Sequence, residues 1–214
     1  MIDRTAIPPP AVRDALPEQT ACESAAMALA REAAAGDIRA TRKLLELVGP
    51  RLAAVARVVL GPAHPDADDA LQQSLIAFVQ ALPNFRGECE PTRFAARIAV
   101  RTALAERKRA RARQVRHDDL VDPDAISTWA EAAPVTDMAE RRAMLVRQLL
   151  ETLPEEQAES LALRVVLGWT LDEVAGSMGV PVNTVRSRVR LAKEAMRRRI
   201  KADPVLCEML GAEE

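Results

Sequence analysis

The chain has 214 residues and 49% hydrophobic side chains, ample for a core, yet aromatics make up 2% and tyrosine is absent. Ala, Leu, Val and Arg dominate, which favours helices, leaves little strand-forming material and points to an all-α protein. The net charge of -1 hides a segregation: residues 1–35 carry -2, residues 36–116 carry +7, residues 117–152 carry -5 and residues 153–214 carry -1, the pattern of separate modules that meet a polyanion.

In chain order, residues 1–26 open with Pro8, Pro9, Pro10 and Pro17 and read as a mobile extension, its Ala-rich end from Thr20 able to start a helix that runs to Ala35. After Gly36-Asp37, Ile38 to Leu60 repeats apolar residues at helical spacing (Leu44, Leu47, Val48, Leu52, Val55, Val58, Val59), with Gly49-Pro50 predicting a kink or a break. The next helix, Asp66 to Leu82, has aspartates in its first turn, where the positive helix end favours them. Leu71, Leu75, Phe78 and Leu82 form its apolar stripe, while Asp69, Gln72, Gln73 and Gln80 lie on other faces that need be no more than solvated. Pro83 ends it, and Asn84 to Pro91 form a polar loop.

Thr92 can cap a basic helix from Arg93 to about Arg113. Arg93, Arg97, Arg101, Lys108 and Arg111 share one arc, and Phe94, Ile98, Thr102 and Ala105 the next. Such a helix packs by one side and offers cations from the other, to phosphates or simply to solvent. Residues 114–137, with Asp118, Asp119, Asp122 and Asp124, read as a flexible acidic linker in which Trp129 is an anchor or part of a short helix.

From residue 138 to 201 helical character returns. Thr170 to Glu173 is a capping-box pattern, Gly179 and Pro181 stop the helix it begins, and a new helix starts near Val182. Val182, Val185, Val189, Ala192, Met196 and Ile200 make its apolar back; Asn183, Ser187 and Arg190 oppose them, with Arg186 at the edge. That spacing is a helix-turn-helix whose second helix suits the major groove. Residues 202–214 form a tail without legible chemistry.

Cys22, Cys89 and Cys207 are too scattered for a disulfide framework, and with His64 and His117 they make no zinc set, so no metal and no cofactor are expected. No apolar run approaches the roughly 18 residues of a membrane span, and a cytoplasmic protein without direct membrane contact is expected. The absence of a Gly-rich phosphate loop or an acid/base cluster argues against an enzyme.

Taken together, the pieces resemble an extracytoplasmic-function sigma factor of bacterial RNA polymerase. GDIRATRKLL with DADDALQQSLIAFVQALPNFRG is similar to the family's region 2, here 27–113, and LPEEQAESLALRVVLGWTLDEVAGSMGVPVNTVRSRVRLA to its region 4, here 138–201. The resemblance implies that Asp66, Asp69, Gln72 and Gln73 bind the polymerase core, on the clamp of the largest subunit, with the flap of the second subunit as a further contact. It implies that Asn84, Phe85 and Arg86 capture the −10 element while Arg93, Arg97, Arg101 and Lys108 track phosphates. Near −35, Asn183, Thr184, Arg186, Ser187 and Arg190 would meet DNA, and an anti-sigma factor is the further partner the family implies. The chain departs from the family's habit at Ala95, Arg101 and Leu191. A stand-alone helix-turn-helix regulator with an N-terminal ligand-binding or dimerisation module is the alternative, and it has no need of the acidic helix at Asp66.

Overall fold

The computed structural model describes residues 18–118 and 138–210, and among them it is helical without a strand. The helices are α1 (Glu18–Ala34), α2 (Ile38–Leu60), α3 (Ala67–Ala81, continued by a 3-10 turn, Leu82–Asn84), α4 (Pro91–Asp118), α5 (Met138–Glu151), α6 (Glu155–Leu161, running into a π-helical turn, Ala162–Val166), α7 (Leu171–Met178), α8 (Val182–Ala202) and α9 (Pro204–Leu210). The Pro8–Pro10 run, most of the acidic linker and Trp129 lie outside the described residues.

Helices α1 to α4 pack together, with α4 laid against α2 and α3. Leu44, Val48, Leu52 and Val55 of α2, Phe78 of α3, Leu82 and the small residues Ala95, Ala96, Ala99, Val100 and Ala103 of α4 are buried. Small side chains on α4 let its backbone approach α2 closely, so large residues are needed from only one side of the contact. This corrects the packing face expected for α4. Phe94 and Ile98 are only half-buried, packed at the edge of the core, Thr102 is half-buried and Ala105 exposed, so that arc lines a groove beside the core. In α3 the deepest row is likewise Ala70, Ser74 and Phe78, with Leu71 and Leu75 flanking it half-buried and Ile76 and Val79 left exposed.

Three local expectations change. The break offered as one outcome at Gly49-Pro50 does not occur, and α2 continues through both residues. Pro50 sits on the exposed face, where the carbonyl whose partner the proline removes can turn to water. Helix α4 begins at Pro91, which needs no N–H partner at the first helical position, and Thr92 donates its hydroxyl to Glu90 Oε1 instead of capping. Helix α4 also continues to Asp118, into the stretch read as linker, and the tail contains α9, whose Met209 carbonyl accepts from Arg142 Nε at 3.3 Å.

In the C-terminal half, Leu161, Ala162, Leu163, Trp169, Val174, Val185, Val189 and Ala192 are buried, gathering α6, α7 and α8 into one core. The Thr170–Glu173 capping box forms as expected: Glu173 N–H donates to Thr170 Oγ1 at 3.2 Å and Thr170 N–H to Glu173 Oε2 at 2.8 Å. Gly179 closes α7 at φ 65°, a left-handed conformation that a side chain would strain, and so sets the turn into α8.

Candidate nucleic-acid interface

Helix α8 carries its apolar back against α6 and α7, which fixes the azimuth of everything else on it. Asn183, Arg186, Ser187 and Arg190 are consequently exposed together, with Thr184 half-buried at the margin. Arg186 Nη1 donates to Asn183 Oδ1 at 2.6 Å, which lays the guanidinium along the first turn and leaves its Nη2 donors for another acceptor. Arg190 pairs with Glu194 one turn on, at 3.0 Å. Arg188 turns the other way and meets Glu156 at 2.5 Å, a role in holding α6 to α8 that separates it from the exposed set.

At the N-terminal half, Asp69, Gln72 and Gln73 are exposed side by side on α3. Asp66 is not with them: half-buried before α3, it accepts from Arg113 at 2.7 Å and so ties α3 to the far end of α4. A groove of about 470 Å³ runs between α3 and α4, lined by Gln73, Phe94, Arg97, Ile98 and Arg101 among others, with Glu155 of α6 at its edge. Asn84 and Arg86 stand exposed on the loop beyond α3, Arg86 beside Glu88 at 3.9 Å. Phe85 folds inward, its ring 5.0 Å from that of Phe94, which lies 6.1 Å from Phe78, so the loop is pinned by a row of aromatic contacts.

The basic arc of α4 is not free as expected but paired, although Arg101 and Arg111 stay exposed. Arg93 pairs with Glu173 at 2.9 Å, Arg97 Nε with Glu159 at 2.7 Å, and Arg101 with Glu155 at 3.5 Å. Arg97 Nη1 also donates to the Ser177 carbonyl at 2.7 Å, and Lys108 Nζ to the Leu153 carbonyl at 3.4 Å. Burial pushes the Cys89 thiol up, against the pull of Arg97 and Arg93, so the thiol keeps its proton beside two cations. Sequence reasoning missed Glu155, Glu159 and Glu173 as partners, and also Arg107, whose guanidinium is buried against Glu151. The signal was present: Glu155 and Glu159, like Arg93, Arg97 and Arg101, recur every fourth residue, the spacing of one helical face.

Residues 44–113 match the family described as Sigma-70 region 2, and residues 143–196 the one described as Sigma-70, region 4. The ECF RNA polymerase sigma factor SigD of Mycobacterium tuberculosis is 31% identical over 182 residues, covering 82% of this chain and 84% of that protein. The chain belongs to the extracytoplasmic-function sigma factors. A further relative, the ECF RNA polymerase sigma-E factor of Escherichia coli, is 28% identical over 64% of this chain and 74% of its own. The structure of CnrH in complex with the cytosolic domain of CnrY overlays 84% of this chain and 99% of that one, with a TM-score of 0.49 at 23% identity. A stand-alone regulator is not favoured for this sigma factor, because the region 2 match covers most of α2, all of α3 and most of α4. Among its described residues, no helix is long and apolar enough to cross a membrane, and no group of three or more His, Cys, Asp or Glu is placed to hold a metal ion.

Proposed function

We propose that this sigma factor grips its promoter at two points while bound to the polymerase core, without catalysing a bond change itself. The observation that carries the reading is the outward face of α8, where Asn183, Arg186, Ser187 and Arg190 stand exposed on a helix whose back is locked in a core. Entered into a major groove at −35, that face sets Arg186 against a base edge and Thr184 and Arg190 near phosphates. The −10 side is assigned to Asn84, Phe85 and Arg86 of the loop after α3 and to Arg93, Arg97, Arg101 and Lys108 of α4, of which Arg97 and Arg101 line the groove between α3 and α4. A base lifted from the stack there loses a few kcal/mol that a pocket and phosphate contacts offset.

Asp69, Gln72 and Gln73 on the exposed face of α3 are the proposed core-binding surface, with Asp66 behind them as their support. The region 2-like unit spans 27–113 and the region 4-like unit 138–201 in this reading. RNA polymerase core, promoter DNA and an anti-sigma protein are its partners. Reconstitution with core enzyme followed by selection of bound promoters tests it: the expected outcome is enrichment of DNA sharing two short elements. Failure of the chain to bind core would overturn the assignment.

A further inference from the structure

Helix α8 leaves one large apolar side chain on its polar outward face. Leu191 is 42% exposed, although the helix already has an apolar back in Val185, Val189 and Ala192, and Leu191 takes no part in the core those residues join. A single exposed leucine is ordinary on a protein surface, so its place is what matters. At about 100° per residue, Thr184, Ser187 and Leu191 fall in one narrow sector of the helix, beside Asn183. The next long charged side chain in that sector is Arg198, about two turns on. On the neighbouring row Arg190 and Glu194 tie each other down at 3.0 Å, and Leu191 stays uncovered beside them. Helical side chains lean toward the N-terminus, which carries the leucine back over the turn of Ser187 and toward the end of the helix that reads bases.

Short side chains along that sector let a duplex come closest to the α8 backbone there, and Leu191 is the apolar group it meets. A leucine has no donor or acceptor, so against a G·C pair it withdraws the cytosine N4 amino group from water and offers it no partner. In the major groove thymine alone presents a methyl group, at C5. We propose that Leu191 is a specificity-determining residue of the −35 contact, packing on a thymine methyl and excluding cytosine at that base pair. It lies five residues past Arg186, about 7 Å along the helix, so the pair it reads is about two steps from the pair that Arg186 reads. This rests on the reading of the outward face of α8 as the −35 reader.

The test uses holoenzyme reconstituted from core enzyme and the full chain, wild type or L191A, on the promoter that selection with the wild type returns. Each thymine of the −35 element, on either strand, is replaced in turn by deoxyuridine, which removes the methyl and nothing else. At one thymine, outside the pair whose selectivity Arg186→Ala relaxes, deoxyuridine is expected to weaken wild-type binding about fourfold, the scale of one buried methyl. L191A is expected to bind the thymine promoter at least about fourfold more weakly than wild type and to be indifferent to deoxyuridine at that position. Leu191 is exposed and alanine is the better helix former, so the variant tests contact and not folding. A −35 element without an A·T pair, or wild-type binding untouched by every deoxyuridine, would overturn the role of Leu191 and leave the −35 reading standing. So would methyl sensitivity that persists undiminished in L191A, which assigns the methyl to another side chain such as Thr184. Selection that returns no −35 element at all would instead remove the reading of α8 and this proposal together.

Discussion

Arg107 of α4 and Glu151 at the end of α5 form an ion pair with each side chain only 9% exposed, and Arg107 Nη1 also donates to the Leu60 carbonyl at 2.7 Å. One guanidinium therefore caps the C-terminal end of α2 and holds the first helix after the linker against α4. Burial and nearby Arg147 pull the Arg107 pKa down, and Glu151 holds it up. Removing one partner strands the other without water. Arg107→Ala is expected to cost about 3–5 kcal/mol in urea unfolding, and Arg107→Lys a large part of that, because an ammonium cannot serve both acceptors in a fixed fork. A loss below about 1 kcal/mol for the alanine variant would mean that the joint is solvated and carries little.

Arg186 is the residue on which the −35 reading turns. Its neighbour Asn183 holds one edge of the guanidinium at 2.6 Å, so the side chain is partly ordered before DNA arrives. Arg186→Ala is expected to weaken binding to the preferred −35 duplex by about 1–3 kcal/mol, roughly 10- to 100-fold, and to relax selectivity at one base pair. Arg190→Ala should instead weaken all duplexes about equally and flatten the salt dependence. Core binding should be unchanged in both. Promoter use by Arg186→Ala holoenzyme equal to wild type would remove its role.

The parts of this fold that were legible in the sequence are those set by local rules. Thr170 with Glu173, and Gly179 before Pro181, specify a cap and a stop within a few residues, and both form as expected. The back of α8 was readable because Val185, Val189 and Ala192 are apolar against a strongly charged remainder. Helix α4 was misread because its packing face is built of alanines, which carry little hydrophobic contrast, while the larger Phe94 and Ile98 line a groove. Pro50 does not break α2, because its cost depends on which way it points, a tertiary matter. The pairing of Arg97 with Glu159 joins residues 62 apart in sequence; each half had a visible four-residue spacing, but nothing local says that the two spacings meet.

The acidic set on α3 divides by its partners. Asp69 and Gln72 are exposed, whereas Asp66 is occupied by Arg113 at 2.7 Å. Asp69→Ala with Gln72→Ala is expected to lower affinity for core enzyme about 30-fold, the scale of a double loss at an interface centre, while leaving the affinity of α8 for duplex DNA unchanged. Asp66→Ala is expected to act mainly on the seating of α3 against α4, seen as a lower urea midpoint with a smaller loss of core affinity. Core affinity retained in the double variant would show that the clamp-facing surface lies elsewhere, and a larger loss in Asp66→Ala than in the double variant would reverse the division of roles.

His64 offers a check by pH. Its Nδ1 accepts from the Asp66 N–H at 3.2 Å, a bond that only the neutral ring makes, at the start of α3. Burial pushes its pKa below the usual histidine value, and Arg107 and Arg113 add to that, against the opposing pull of Asp66 and Glu106. A lowered folded value means that the unfolded chain takes up the proton first as pH falls below about 6.5, so stability contributed by this site is full above that pH and declines beneath it. Urea midpoints should therefore fall between about pH 7.5 and about pH 5.5 in wild type. His64→Asn keeps an acceptor at the turn and removes the titration, and should show a smaller fall over the same interval. An identical fall in the two proteins would place the acid sensitivity in the carboxylates of the ion pairs and not at His64.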